Sequence, residues 1–231
     1  MATHPVQLLR DALEPHGVQT CGVVASGLGQ LVDGERVTLS DGLSFAIAHD
    51  EREAPVPVGD DGTELDNLLI SISDEDDTRM LVWARPTPTS PVAGIGIDIC
   101  STEDFLEDDG GNRFSRLLFT EGEQLLVERS SLSVPISRAH AFSAKEAAFK
   151  ACAPQLRRWY ETHDEELFFE AMDFELHEGG IARGTAPRSR GRTGRAERAC
   201  ERMGIARIEV SHALYEGMVL CVAVALRGRR D

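Results

Sequence analysis

The stretch Gly94-Ile95-Gly96-Ile97-Asp98-Ile99-Cys100 alternates without a break. Successive side chains of an extended chain point to opposite faces. Ile95, Ile97 and Ile99 therefore share one face, and Gly94, Gly96, Asp98 and Cys100 share the other. Three β-branched residues on one side predict a strand with that side in the core. The opposite side carries no side chain before Asp98, which predicts that a bulky anion with its metal comes close to the backbone there. No GxGxxG pattern follows, so the dinucleotide fingerprint is absent.

About 45 residues on comes Phe142-Ser-Ala-Lys-Glu-Ala-Ala-Phe-Lys-Ala-Cys152, which reads as a helix beginning near Ser143. Ser143 and Glu146 have the S-x-x-E spacing of a capping box. Ala144, Ala147, Ala148 and Ala151 form a small face suited to close packing. Glu146 and Lys150 lie one turn apart on one side. Lys145 and Lys150 are the only lysines in 231 residues. In an arginine-rich chain, two compact ammonium charges around one glutamate look chosen for a point charge.

Working outward, Arg113-Phe-Ser-Arg-Leu-Leu-Phe-Thr-Glu-Gly-Glu123 leads into a helix over about Phe114–Glu128. Arg85-Pro-Thr-Pro-Thr-Ser-Pro-Val-Ala-Gly94 is the clearest linker, because three prolines cannot continue a helix. Before it, Val6–Leu13 reads as a helix, with short strands near Cys21–Ala25 and Arg36–Leu39. After the second motif come a strand near Phe168–His177, a Gly-, Arg- and Pro-rich loop, a helix over about Ala196–Met203 and a final pair of strands. Ser71–Ala84 and Glu209–Val222 form a weak repeat. Ser73 matches Ser211, Asp74 matches His212 and Met80 matches Met218, each followed by an apolar strand. Two hairpins of one design suggest two related halves. The expectation is an α+β fold of two pseudo-repeated halves, residues 1–91 and 92–231, each with a small antiparallel sheet packed on helices.

Net charge is −15, with 42% hydrophobic residues. Such a chain buries a core and repels a phosphate backbone at long range, so nucleic acid is not an expected partner. No apolar run is long enough to span a bilayer and no leader-like segment opens the chain, so a cytoplasmic protein without a membrane partner is expected. Five scattered cysteines form no CxxC and fit a reducing compartment. The acid is uneven: residues 1–92 carry 16 Asp and Glu against 5 Arg, while Arg183–Arg207 holds 8 Arg against Glu197 and Glu201. That basic stretch on an acidic body suggests binding of something anionic and small or local.

The ordered set of these motifs, with the closing Arg202–Leu226 segment and its Ser211-His212 before two apolar strands, resembles the 4′-phosphopantetheinyl transferases. The second half is similar to the small holo-acyl-carrier-protein synthases, while the length is that of the two-half, surfactin-synthetase-type enzymes. The resemblance implies a Mg²⁺-dependent transfer of 4′-phosphopantetheine from coenzyme A to a serine of an acyl or peptidyl carrier protein, as in fatty acid or polyketide biosynthesis. It implies Asp98 and Glu146 as metal ligands, a hard-cation set completed by substrate phosphates. Lys150 would neutralise pyrophosphate charge, and Glu146 would help to deprotonate the serine. Lys145, Lys150 and His212 would contact coenzyme A. As catalytic residues it names Glu146, Lys150 and Asp98.

Three features depart from the family pattern. Cys100 stands where the two-half enzymes carry a third acid. Asp74 stands where their first half has a histidine, and the first half lacks the basic residues that grip the adenosine phosphates. A homo-oligomer in which His212 of one copy meets Asp98 and Glu146 of another would repair the second departure. A catalytically weak or inactive module that assembles with a carrier-protein synthase is the alternative reading.

Overall fold

The computed structural model describes residues 4–27, 36–39, 41–51, 53–106, 117–184 and 194–228. Helix α1 (Pro5–Leu13) leads into β1 (Thr20–Gly27), β2 (Arg36–Thr38), β3 (Ser44–His49), β4 (Pro55–Val58), β5 (Leu69–Glu75) and β6 (Thr78–Arg85). The proline linker then passes into β7 (Val92–Ser101). Helices α2 (Glu121–Arg129) and α3 (Val134–Thr162) follow, then β8 (Phe174–His177), β9 (Ile181–Gly184), helix α4 (Arg195–Arg202), β10 (Ile205–Tyr215) and β11 (Met218–Arg227).

The strands form three antiparallel sheets, ordered β1-β6-β5, β7-β11-β10-β9-β8 and β2-β3-β4. This is the expected α+β mixture of helices and antiparallel sheet. The isoleucine face of β7 lies in the core: Ile95, Ile97 and Ile99 pack with Leu9, Leu13, Met80 and Val82. Both parts of the chain contribute to that one cluster. The third sheet, of which the sequence reading expects only β2, packs Phe45 and Ile47 against Leu81 and Trp83.

Between the first two sheets, β5 lies beside β7 without a backbone ladder. The Ile97, Ile99 and Ser101 amides of β7 donate instead to Ser71 Oγ (3.1 Å), Ser73 Oγ (3.2 Å) and Glu75 Oε1 (2.9 Å). Buried N–H groups must find acceptors, and here alternate side chains of one strand supply them to the next. The seam is made of side chains.

Several local expectations change. Ser143 does not cap a helix. Helix α3 begins nine residues earlier, after the extended Ser133, with Pro135 in its first turn, a start that proline favours. The Ser143 hydroxyl is buried and donates to the Asp98 carbonyl at 3.1 Å. The capping box belongs to α2, where Thr120 and Glu123 bond reciprocally. That helix covers 121–128 of the expected span 114–128; Leu117 and Leu118 are helical as well, and residues up to 116 lie outside the described ones. The strand expected over 168–177 is confined to β8, because Phe169 and Ala171 enter the core from irregular chain and a 3-10 turn.

The two hairpins of the repeat turn at Asp76-Asp77 and at Glu216-Gly217. Aligned on these turns, Ser71 rather than Ser73 matches Ser211, and Ile72 rather than Asp74 matches His212. The sequence alignment was shifted by two residues, which keeps the strand faces and so looks equally good to a pattern.

Candidate functional site

The glycine face of β7 is closed. A Cβ at Gly94 would fall on the Ala151 carbonyl oxygen, and one at Gly96 on the Ala147 carbonyl oxygen. The glycines admit helix α3, whose Ala144, Ala147, Ala148 and Ala151 are fully buried. This corrects the expectation that an anion comes to the backbone there: a helix occupies the space. Close approach has a second effect. It sets Asp98, two residues beyond Gly96, directly under the turns of α3 that carry Ser143, Glu146 and Lys150.

Asp98 is 6% exposed. Its Oδ1 accepts from Lys150 Nζ at 2.8 Å and from Ser73 Oγ at 3.0 Å. Burial pushes its carboxyl above the ordinary value, opposed by the Lys150 charge and by hydrogen bonds. Glu146 is pushed up by burial and by the negative charge of Asp98. Glu75, reaching over from β5, is raised by burial, opposed by its bond from the Ser101 amide. The Cys100 thiol is driven up by burial and by Asp98, Glu75, Asp104 and Glu146, so it stays protonated. Two carboxylates, Asp98 and Glu146, thus lie within reach of the Lys150 charge, with Glu75 and the neutral Cys100 thiol beside Asp98.

This donor set suits a hard divalent cation. Magnesium takes one or two protein carboxylates and fills its shell with water and substrate phosphates. Among the described residues no three His, Cys, Asp or Glu side chains gather tightly enough to hold a metal alone. Asp98 and Glu146 fit the two-carboxylate arrangement, and neutral Cys100 adds no ligand.

Lys150 also lines a cleft of about 570 Å³ between the third sheet, β5 and the second half of α3. His49, Ile72, Asp74, Arg79, Lys150 and Arg157 are among its lining residues. Asp74 does not reach Asp98; it faces Arg79 at 4.0 Å. The residue of β5 that does reach the site is Ser73, which the sequence reading used only to align the repeat. No signal in the sequence separates it from Ser71. Glu75 was missed for the same reason.

Lys145 goes elsewhere. It is 1% exposed and pairs with the fully buried Glu123 at 2.8 Å. Glu123 also accepts from the Thr120 and Leu176 amides. The ion pair ties α3 to α2 and β8, on a different side of the helix from Lys150. This placement corrects the assignment of Lys145 to coenzyme A, since its ammonium is consumed in the core.

His212 is also apart from the cluster. Cross-strand register places it in one row with Cys221 and Asp98, two strands away, or roughly 10 Å at ordinary strand spacing. Its ring packs on His140 of α3 with centroids 3.7 Å apart. Burial and the neighbouring imidazole push His140 down to about 3, and desolvation lowers His212 as well. Both rings are neutral near pH 7. Of the arginine stretch, residues 185–193 lie outside the described ones, including Arg188, Arg190 and Arg192. Arg202 pairs with Glu165 and Arg207 with Glu209.

The family model of the 4′-phosphopantetheinyl transferase superfamily matches residues 94–197, a span that includes Asp98, Glu146 and Lys150. Among solved structures, the holo-[acyl-carrier-protein] synthase of Neisseria meningitidis is similar at 22% identity and a TM-score of 0.40, over 59% of this chain and 99% of its own. The holo-ACP-synthase of Plasmodium yoelii is similar at 18% identity and a TM-score of 0.38, over 60% and 97%. No curated protein matches the chain. No helix among the described residues is long and apolar enough to cross a membrane.

Proposed function

We propose that the chain, whose residues 94–197 match the family model of the 4′-phosphopantetheinyl transferase superfamily, moves 4′-phosphopantetheine from coenzyme A to a serine of an acyl or peptidyl carrier protein. The observation that carries this reading is the meeting of Asp98 and the neighbouring Glu146 with Lys150 (2.8 Å from Asp98), the member of the group that lines the 570 Å³ cleft. A pyrophosphate needs cationic charge where its bridging bond breaks and a base for the incoming hydroxyl. The cluster offers both.

Asp98 and Glu146 would hold Mg²⁺, which when bound supplies a Lewis acid to the pyrophosphate oxygens. Lys150, 29% exposed, neutralises charge that builds on the leaving phosphate. Glu146, with its affinity for protons raised by burial and by Asp98, takes the proton from the carrier serine. The serine oxygen forms a bond to the β-phosphorus as the bond to the bridging oxygen breaks. The leaving group is 3′,5′-adenosine bisphosphate. The cleft takes the coenzyme, with Arg79 and Arg157 among its cationic lining residues.

The test is incubation of apo carrier protein with coenzyme A, Mg²⁺ and the protein, read by intact-mass spectrometry. A phosphopantetheine mass increment that disappears with Glu146→Ala supports the reading. No increment on acyl and peptidyl carriers alike, with folded protein, overturns it.

A further inference from the structure

The Asp98–Lys150 pair has a third member from the other part of the chain. Ser73 of β5 is 4% exposed. Its hydroxyl donates to Asp98 Oδ1 at 3.0 Å, and its oxygen accepts from Lys150 Nζ at 3.1 Å and from the Ile99 amide at 3.2 Å. A serine hydroxyl has one proton and two lone pairs, so these three bonds use all of its capacity. Ser71, two residues earlier, is equally buried and makes the same kind of seam bond to Ile97 at 3.1 Å. The sheets are therefore joined at Ser71 by a serine that leaves the ion pair alone, and at Ser73 by one that grips both of its members.

We infer that Ser73 is a positioning residue for phosphoryl transfer. It sets the Asp98 carboxylate and the Lys150 ammonium relative to one another, so residues of the N-terminal part control the geometry of a site carried by the C-terminal part. The inference rests on the proposed function, which gives that geometry its purpose. A lysine on a four-carbon stem has many conformations. Glu146, one turn before it on α3, is a competing partner for the ammonium. Ser73 offers Lys150 a fixed acceptor beside Asp98 and withholds it from that competition.

Ser73→Ala and Ser71→Ala are compared, because each removes one seam acceptor and only the first removes a contact with the pair. In steady-state transfer, Ser73→Ala lowers kcat about tenfold, the size expected of a small misplacement of reacting groups, with KM for coenzyme A little changed. Ser71→Ala, at a residue that lines the cleft, loses much less kcat and shows its effect in KM for coenzyme A. Ser73→Thr, which keeps the hydroxyl on a residue that strands favour, restores most of the rate.

A second readout does not depend on turnover. The chain has two lysines, Lys145 and Lys150, so brief acetylation followed by peptide mass spectrometry reports each separately. Acetylation of Lys150 rises about fivefold in Ser73→Ala, in keeping with the loss of one hydrogen bond. Lys145 stays slow, and Ser71→Ala changes neither. Equal loss of kcat in the two alanine variants, or unchanged Lys150 labelling in Ser73→Ala, overturns the inference. Should the unaltered chain transfer nothing, the functional reading falls and the labelling alone decides the role of Ser73.

Discussion

Gly96 and Ala147 meet backbone against backbone, so tightly that a Cβ on the glycine would coincide with the alanine carbonyl oxygen. That contact places α3 over β7 and so brings Lys150 to Asp98. Asp98 and Lys150 are 52 residues apart in the chain and 2.8 Å apart in space because nothing but hydrogen lies between strand and helix two residues upstream.

Gly96→Ala is therefore expected to be severe. A methyl group directed at a helix carbonyl cannot be relieved by a rotamer change, so the helix must lift. Overpacking of this kind costs about 3 kcal/mol or more. Urea unfolding followed by circular dichroism measures it, and a loss below about 1 kcal/mol would contradict the contact.

The two lysines should separate stability from activity. Lys145→Met leaves Glu123 buried without its counter-charge and is expected to cost about 3–5 kcal/mol. Lys150→Met removes a partly exposed lysine beside a carboxyl that burial already inclines toward protonation, so its stability loss is smaller. The transfer rate should fall the other way, severely for Lys150→Met and little for whatever folded fraction of Lys145→Met remains. Denaturation curves and the intact-mass assay on both variants decide this.

The His140–His212 pair should make the fold acid-sensitive. The folded-state value of His140 is depressed to about 3, against about 6.5 for a free imidazole. Between these values the unfolded chain binds the extra proton and the folded chain does not. Its contribution is complete above about pH 6.5 and is lost as pH falls toward 3, at up to about 1.4 kcal/mol per pH unit for one proton. His140→Phe should flatten the unfolding free energy over that window relative to the unaltered chain. Parallel pH profiles for the two proteins would refute the assignment.

Coenzyme A binding should depend on the metal through the two carboxylates. Calorimetric titration with and without Mg²⁺ is expected to show tighter binding with the ion in the unaltered chain. Asp98→Asn and Glu146→Gln should each remove most of that difference, because a phosphate-bound magnesium draws on few protein ligands. An undiminished Mg²⁺ effect in both variants would exclude these residues as ligands.

The errors of the sequence reading share one physical origin. Ser143-x-x-Glu146 has the spacing of a cap, but spacing is a local property, and a tertiary acceptor, the Asp98 carbonyl, took the hydroxyl. The local signal that did apply, Ser133 followed by Pro135, stood ten residues upstream. Lys145 and Lys150 look alike in sequence, five positions apart, yet on a helix they point in different directions, one to Glu123 and one to Asp98. Of the third sheet only β2 was legible; β3 and β4 escaped, β4 being the four-residue Pro55–Val58, where prolines argue against strand.

By itself the sequence determined which strand and helix matter. Alternation in residues 94–100 defines the faces of β7, and the alanine spacing defines the face of α3 that packs on it, because periodicity follows from backbone geometry alone. It also carried the family motifs and the candidate acids Asp98 and Glu146. Only the tertiary structure decided that the glycines serve a helix rather than an anion. The same holds for Lys145, which belongs to the core, and for Ser73, which completes the ion pair. These depend on which groups meet across the seam of β5 and β7 and across α3, and such meetings are set by packing between segments far apart in the chain, where no local pattern records them.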